Sequence, residues 1–185
     1  PTRRSSDLKP IEPVFLDFKK DMSQLTAKSD IPVLYKQNTT NDLFQLIYVF
    51  DMGNNNDKAL GTAFDYLEYL GTSDMTPEEL KSEFYRLACT FYVSPGNERT
   101  YVVLSGLNEN MPAAMQLFEK LLADAQVNKE AYNNLVGDIL KARADAKLNQ
   151  GQNFSRLMNY AMYGPKSPAT NLLTEAELAS MNPQI

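Results

Sequence analysis

Apolar positions along this chain change period several times, and each change marks an element. Residues 31–37 (IPVLYKQ) and 43–50 (LFQLIYVF) are rich in branched and aromatic side chains and flank the polar stretch 38–42. That pattern predicts a hairpin. The second run is apolar at nearly every position, as expected of an inner strand covered on both faces. A tight loop follows at 52–57 (MGNNND), with Asp57 placed to cap the next helix.

Leu60, Ala63, Phe64, Leu67 and Leu70 then recur at helical spacing, and Gly71 stands where a glycine stop belongs. Thr76-Pro77-Glu78-Glu79 is a capping box with proline at the first helical position; Leu80, Phe84, Leu87 and Ala88 form the expected buried face. Residues 90–93 and 100–105 predict a second hairpin around Ser94-Pro95-Gly96-Asn97. Asn110 and Pro112 open a helix with Met111, Met115, Phe118, Leu121 and Leu122 on one side. A longer helix is predicted over 129–148, with Tyr132, Leu135, Val136, Ile139 and Ala146 inward, and another over 154–163 stopped by Gly164-Pro165. Thr174-Glu175-Ala176-Glu177 is a second capping box. Strands arrive in hairpins rather than in β-α-β alternation. This order predicts an α+β fold, a largely antiparallel sheet of paired hairpins covered by helices.

The ends and the domain plan follow from composition. Residues 1–8 (PTRRSSDL) match an in-frame translation of a sequencing adapter, or else form a flexible basic tail, and they are excluded from the fold. Residues 9–30, with Pro10 and Pro13, read as a linker or lead-in. Residues 31–185 are then expected to form a single domain, truncated at both ends of a larger protein.

Composition removes whole classes of chemistry. The 185 residues include no histidine and one cysteine. A Ser-His-Asp triad, a histidine base and any imidazole or multi-thiolate zinc site within the chain are therefore excluded. A net charge of −5 argues against nucleic acid, whose phosphates need a clustered basic face. No apolar run approaches the roughly 20 residues of a membrane span.

Several constellations have ordinary readings. Residues 51–57 alternate oxygen side chains like a calcium loop, but the glycine is third rather than sixth and no Glu is twelfth. Glu78, Glu79 and Glu83 fit a solvated helix start. Met111, Met115, Met158 and Met162 read as core filler, and Cys89 as an inert buried thiol.

Residues 61–72 (GTAFDYLEYLGT) are more informative. Asp65, Glu68 and Tyr69 are spaced i, i+3, i+4 and project together from a helix, away from Leu60, Phe64 and Leu67. This is the geometry of an H-x-x-E-H zinc helix with both histidines replaced. On this stretch the chain resembles the pitrilysin/insulinase family of inverted zinc peptidases. The resemblance extends to residues 31–50 as the family's opening hairpin, Asp51-Met52-Gly53 as the turn after it, residues 105–110 as a strand end and helix start, and residues 163–168 as the segment closing the helical layer.

The resemblance implies a metallohydrolase lobe like those of pitrilysin and the mitochondrial processing peptidase, specifically the first domain of the non-catalytic C-terminal lobe. It implies no zinc and no catalytic residue in this chain, with zinc held by the parent's other lobe. Asp65, Glu68 and Tyr69 are then degenerate zinc-motif positions, Glu68 matching the general base by position only. A downstream ligand equivalent is expected on the 129–148 helix, where Asp138 and Asp145 are the acids past the first turn. The implied function is a substrate-enclosing lobe of a zinc metalloendopeptidase, its partners a peptide substrate and a catalytic lobe of the same chain or a partner subunit. The alternatives are an inactive scaffold or binding subunit of the family's kind, and an unrelated α+β binding domain.

Overall fold

The structure, a computed structural model, describes residues 12–13, 15–167 and 170–182. The expectation for residues 1–8 lies outside them, as do Pro168 of the closing segment and Pro10 of the lead-in. The chain divides into two compact units that part between Asn41 and Asp42.

In the first unit a short helix α1 (Phe18–Asp21), capped by Asp17 through the Lys19 amide, precedes two strands. Strand β1 (Ser23–Thr26) pairs antiparallel with β2 (Pro32–Tyr35), Gln24 facing Leu34 and Leu25 facing Val33. Ser29 and Asp30 turn the chain between them in the left-handed region, at φ 61° and 57°. The hairpin expected between 31–37 and 43–50 is therefore replaced: β2 takes its partner from the lead-in. The sequence SQLT of β1 is polar enough to hide a strand, because neither of its faces is buried.

The second unit is built on a three-stranded antiparallel sheet in the order β3-β5-β4, formed by β3 (Leu43–Phe50), β4 (Cys89–Pro95) and β5 (Thr100–Leu107). The predicted second hairpin is present as β4 and β5, with Val93 opposite Val102. Strand β3 is an edge, not an inner strand. Phe44, Leu46 and Tyr48 point inward while Leu43, Ile47 and Val49 are exposed, so its continuous apolar run reflects two different environments. The centre belongs to β5, whose Val102, Val103 and Leu104 are buried.

Helices α2 (Leu60–Leu67), α3 (Pro77–Arg86) and α4 (Met111–Asp124) close over the inner face. Phe84, Phe91 and Phe118 pack as tilted rings through the middle with centroids 5.1 and 5.0 Å apart. The two buried rings, Phe84 and Phe118, each contribute about 1.5–3 kcal/mol by leaving water. The capping box of α3 is formed in full, Thr76 accepting from the Glu79 amide and Glu79 from the Thr76 amide. Leu80, Phe84 and Leu87 are buried as expected. Ala88 is not: it ends α3 exposed, in the left-handed region at φ 49°. Leu122 on α4 is likewise 47% exposed, one position past the stripe of Ala114, Leu117, Phe118 and Leu121.

Helix α5 (Lys129–Leu148) has the predicted limits and buries Tyr132 and Leu135. Helix α6 (Gln150–Tyr163) starts earlier than the apolar pattern, because Asn149 caps it through the Gln152 amide. Met111 and Met115 pack on the core, whereas Met158 and Met162 are exposed, so only the first pair is core filler. The second capping box opens α7 (Glu175–Ser180), whose Leu178 is fully buried.

Candidate functional site

The motif face sits at the end of α2, and the loop before that helix fixes its position. The amides of Asn54 and Asn55 donate to the carbonyls of Gly96 and Asn97, laying the loop on the β4–β5 turn. Asp57 accepts from the Ala59 amide, but Ala59 is the N-cap residue and has no side-chain cap. Asp57 thus shapes the approach to the helix rather than capping it.

Tyr66 anchors the far end. Its hydroxyl donates to the carbonyl of Asn128 and accepts from the Asn128 amide, both at 2.8 Å. Its ring meets Tyr132 of α5 edge-on at 5.5 Å, and the Tyr132 hydroxyl donates to the carbonyl of Leu178. One chain of phenols thus ties α2, α5 and α7. Sequence reading passed over Tyr66 because it sits between Asp65 and Glu68. The available signal was a phenol off the main stripe, opposite an asparagine N-cap.

Helix α2 stops at Leu67 with Glu68 as its C-cap, so Glu68 and Tyr69 lie in the closing turn. Asp65, Glu68 and Tyr69 are all exposed. Neighbouring atoms still strip enough water from the Asp65 carboxyl to raise its pKa above the usual carboxylate value. The Lys81 ammonium lies 5.8 Å from the Tyr69 ring centroid, over its face. Asp138 and Asp145 are exposed positions of α5. Helix α5 packs on α2 through Tyr132 and Tyr66.

Gly71 is not a helix stop, since α2 has already ended. A Cβ there would fall 2.2 Å from the Met75 carbonyl oxygen. Glycine is needed for that close approach, which closes the turn in which the Thr72 amide donates to Met75. The turn is pinned to the end of α4: the Ser73 amide and hydroxyl both donate to Asp124, and Lys120 donates to Asp74. These donors hold the carboxyls of Asp74 and Asp124 below their usual pKa. Between this turn and the segment 126–129 lies an open cleft of about 540 Å³, lined by Thr72, Asp74, Thr76, Gln126 and Lys129.

A zinc ion does not fit this donor set. Zinc sites in peptidases use imidazole nitrogen with a carboxylate, and the motif positions offer two carboxylates and a phenol. Among the described residues no group of three or more His, Cys, Asp or Glu is arranged to hold a metal. Cys89 is buried, its thiol donating to the Leu87 carbonyl at 3.3 Å, and burial pushes its pKa up. It is not set up as a nucleophile.

The architecture is an α+β fold, an antiparallel sheet with helices packed on one face. More particularly, it is the fold of the pitrilysin-like M16 peptidases. The periplasmic protease PqqL from Escherichia coli superposes with a TM-score of 0.72 at 16% identity, covering 99% of this chain and 21% of PqqL. An M16 inactive domain from Pseudomonas fluorescens superposes at 0.75 with 15% identity, covering 88% of this chain and 41% of that one. The ferredoxin protease FusC, solved with Arabidopsis ferredoxin, superposes at 0.72 with 12% identity over 92% of this chain and 19% of its own. The chain therefore spans between about a fifth and two fifths of the solved chains it matches. No protein-family model matches the sequence, and no curated protein does.

Proposed function

We propose that this chain is part of the non-catalytic lobe of a zinc metalloendopeptidase, a wall that encloses a peptide while a catalytic lobe of the same chain or a partner subunit cleaves it. Two things support the reading: the M16 peptidase fold, and the i, i+3, i+4 spacing of Asp65, Glu68 and Tyr69, which resembles the family's zinc motif with both imidazoles replaced. Hydrolysis of this class needs a metal-bound water and a carboxylate to deprotonate it. By the resemblance Glu68 takes the carboxylate position, and no imidazole flanks it to hold the metal.

What remains for such a wall is exclusion and alignment. Strand β3 supports this role: it is an edge strand of eight residues without charge, proline or bulge. An edge of that kind presents main-chain donors and acceptors to an extended peptide. The neighbours support a protein or peptide substrate, one of them having been solved with ferredoxin.

The purified chain, incubated with a panel of unfolded proteins and quenched peptides, is expected to show no hydrolysis with or without added zinc. Chelator-sensitive cleavage by the chain alone would overturn the reading. Sequencing the surrounding reading frame supplies the second arm. An intact H-x-x-E-H about one lobe upstream is expected, whereas a frame with neither lobe carrying zinc ligands favours a scaffold or binding subunit.

A further inference from the structure

Strand β3 leaves one side of its sheet open. On the other side it pairs with β5 without interruption, from Leu43 opposite Leu107 to Phe50 opposite Thr100. Among the described residues no strand lies beyond it. Alternate residues of an antiparallel strand turn their N–H and C=O groups to opposite sides, so residues 44–50 present a row of main-chain donors and acceptors outward. Sheet proteins ordinarily blunt such an edge with lysine, proline, a bulge or a short strand. Residues 44–50 (FQLIYVF) contain no charge and no proline, and their register has no bulge. The other strands differ: β1 and β2 have four residues each, and β4 ends in Pro95 and packs beside α2 and α3.

The edge is complementary to itself. Residues directly opposite in an antiparallel pair share a face, so a two-fold axis between two such strands passes through a residue position, not between two. Centred on Ile47, the axis sets Phe44 against Phe50, Gln45 against Val49 and Leu46 against Tyr48 of the other copy. Every residue of 44–50 then finds its partner within the same run. Apolar and aromatic cross-strand pairs of this kind stabilise neighbouring strands. No charge meets its like within the ladder, although the chain carries −5 overall.

We propose that β3 is a self-association edge: two copies pair antiparallel through residues 44–50, about a two-fold axis at Ile47, and join their sheets in the order β4-β5-β3-β3-β5-β4. A row of main-chain groups is matched by another extended main chain, so the occupant is a strand. A second copy supplies one of equal length, neutrality and alternation, and the two-fold pairing covers the long edge of both copies at once. Pairing β3 with β4 of another copy would leave an edge free at each end and grow a filament. The edge is the one read above as a wall for peptide. Self-pairing does not rest on that reading, and where both occur they compete.

Seven residues span about 23 Å of edge, a contact at the small, transient end of interfaces. The test therefore follows the mass of the full chain by analytical ultracentrifugation from about 1 to 500 µM, where a weak contact becomes populated. The expected result is a rapid equilibrium between 20.9 kDa and twice that mass, and no larger species. Ile47 is 47% exposed, and Ile47→Lys or Ile47→Glu sets a like charge against itself at the axis. Each variant is expected to weaken the dimer at least about tenfold with circular dichroism unchanged. Mixing the two variants is expected to restore it. Hydrogen exchange on the parent reads the same contact without substitution, the amides of 44–50 exchanging more slowly at high concentration than at low. A parent that stays monomeric, association that continues past the dimer, variants that dimerise like the parent, a mixture that stays monomeric, or exchange in 44–50 that ignores concentration overturns the proposal. Failure of the peptide reading, seen as no binding of an extended peptide, leaves these outcomes unchanged.

Discussion

The hydroxyl of Tyr66 holds both main-chain groups of Asn128, donating to its carbonyl and accepting from its amide at 2.8 Å each. A side chain on the motif helix thereby fixes the residue that caps α5, since the Asn128 side chain accepts from the Ala131 amide. Tyr66→Phe removes one partner from two backbone groups and leaves the ring in place. The expected loss is about 1–3 kcal/mol, read as a lower urea midpoint with an unchanged slope.

Lys58 and Glu177 join the approach to α2 with α7 at 2.5 Å, and Glu177 also accepts from the Thr174 amide in its capping box. These donors lower the Glu177 pKa from 4.5 to about 2. Because the folded-state value lies below the unfolded one, the stabilisation is complete above the unfolded pKa and is lost as pH falls toward the folded one. Melting temperature should therefore fall between about pH 5 and pH 2 more steeply in the parent than in Glu177→Gln. Equal pH profiles for the two would remove the pair from the stability account.

The raised pKa of Asp65 has the opposite sign. Here the folded state binds the proton more tightly, so ionisation works against folding above the carboxylate range and the penalty vanishes in acid. Asp65→Asn should melt higher than the parent at pH 7 and converge with it below pH 4. A lower melting temperature at pH 7 would mean that the charged carboxylate has a favourable partner.

Ala88 takes the left-handed conformation at the end of α3, φ 49°, with its side chain exposed and its carbonyl accepting from the Leu107 amide. An alanine there carries the clash that glycine avoids. Ala88→Gly should stabilise by about 1 kcal/mol, raising the melting temperature by about 2–4 °C for a chain of this size. No gain, or a loss, would show that the unfolded-state entropy of glycine outweighs the relieved clash.

The local elements were legible because local chemistry determines them. Both capping boxes, the full length of α5 and the β4–β5 hairpin follow from signals within a few residues of one another. The failures share one cause, which is that exposure depends on distant partners. Met158 and Met162 have the same spacing as Met111 and Met115, yet only the earlier pair meets the core. The apolar run of β3 looks like an inner strand until β5 takes the centre of the sheet. At the motif, the spacing of Asp65, Glu68 and Tyr69 was readable, but the helix gives way after Leu67 to tight turns in which the Tyr69 and Leu70 amides donate to the carbonyls of Tyr66 and Leu67.

By itself the sequence determined what chemistry is absent and which segments curl or extend, since residue type and near-neighbour spacing act through the backbone alone. Only the tertiary structure decided which strand pairs with which, that Tyr66 rather than the acids beside it carries the packing of the motif helix, and that α6 stays exposed on all its sides. Those outcomes depend on which surfaces meet across long stretches of chain, and burial is a property of the pair, not of the residue.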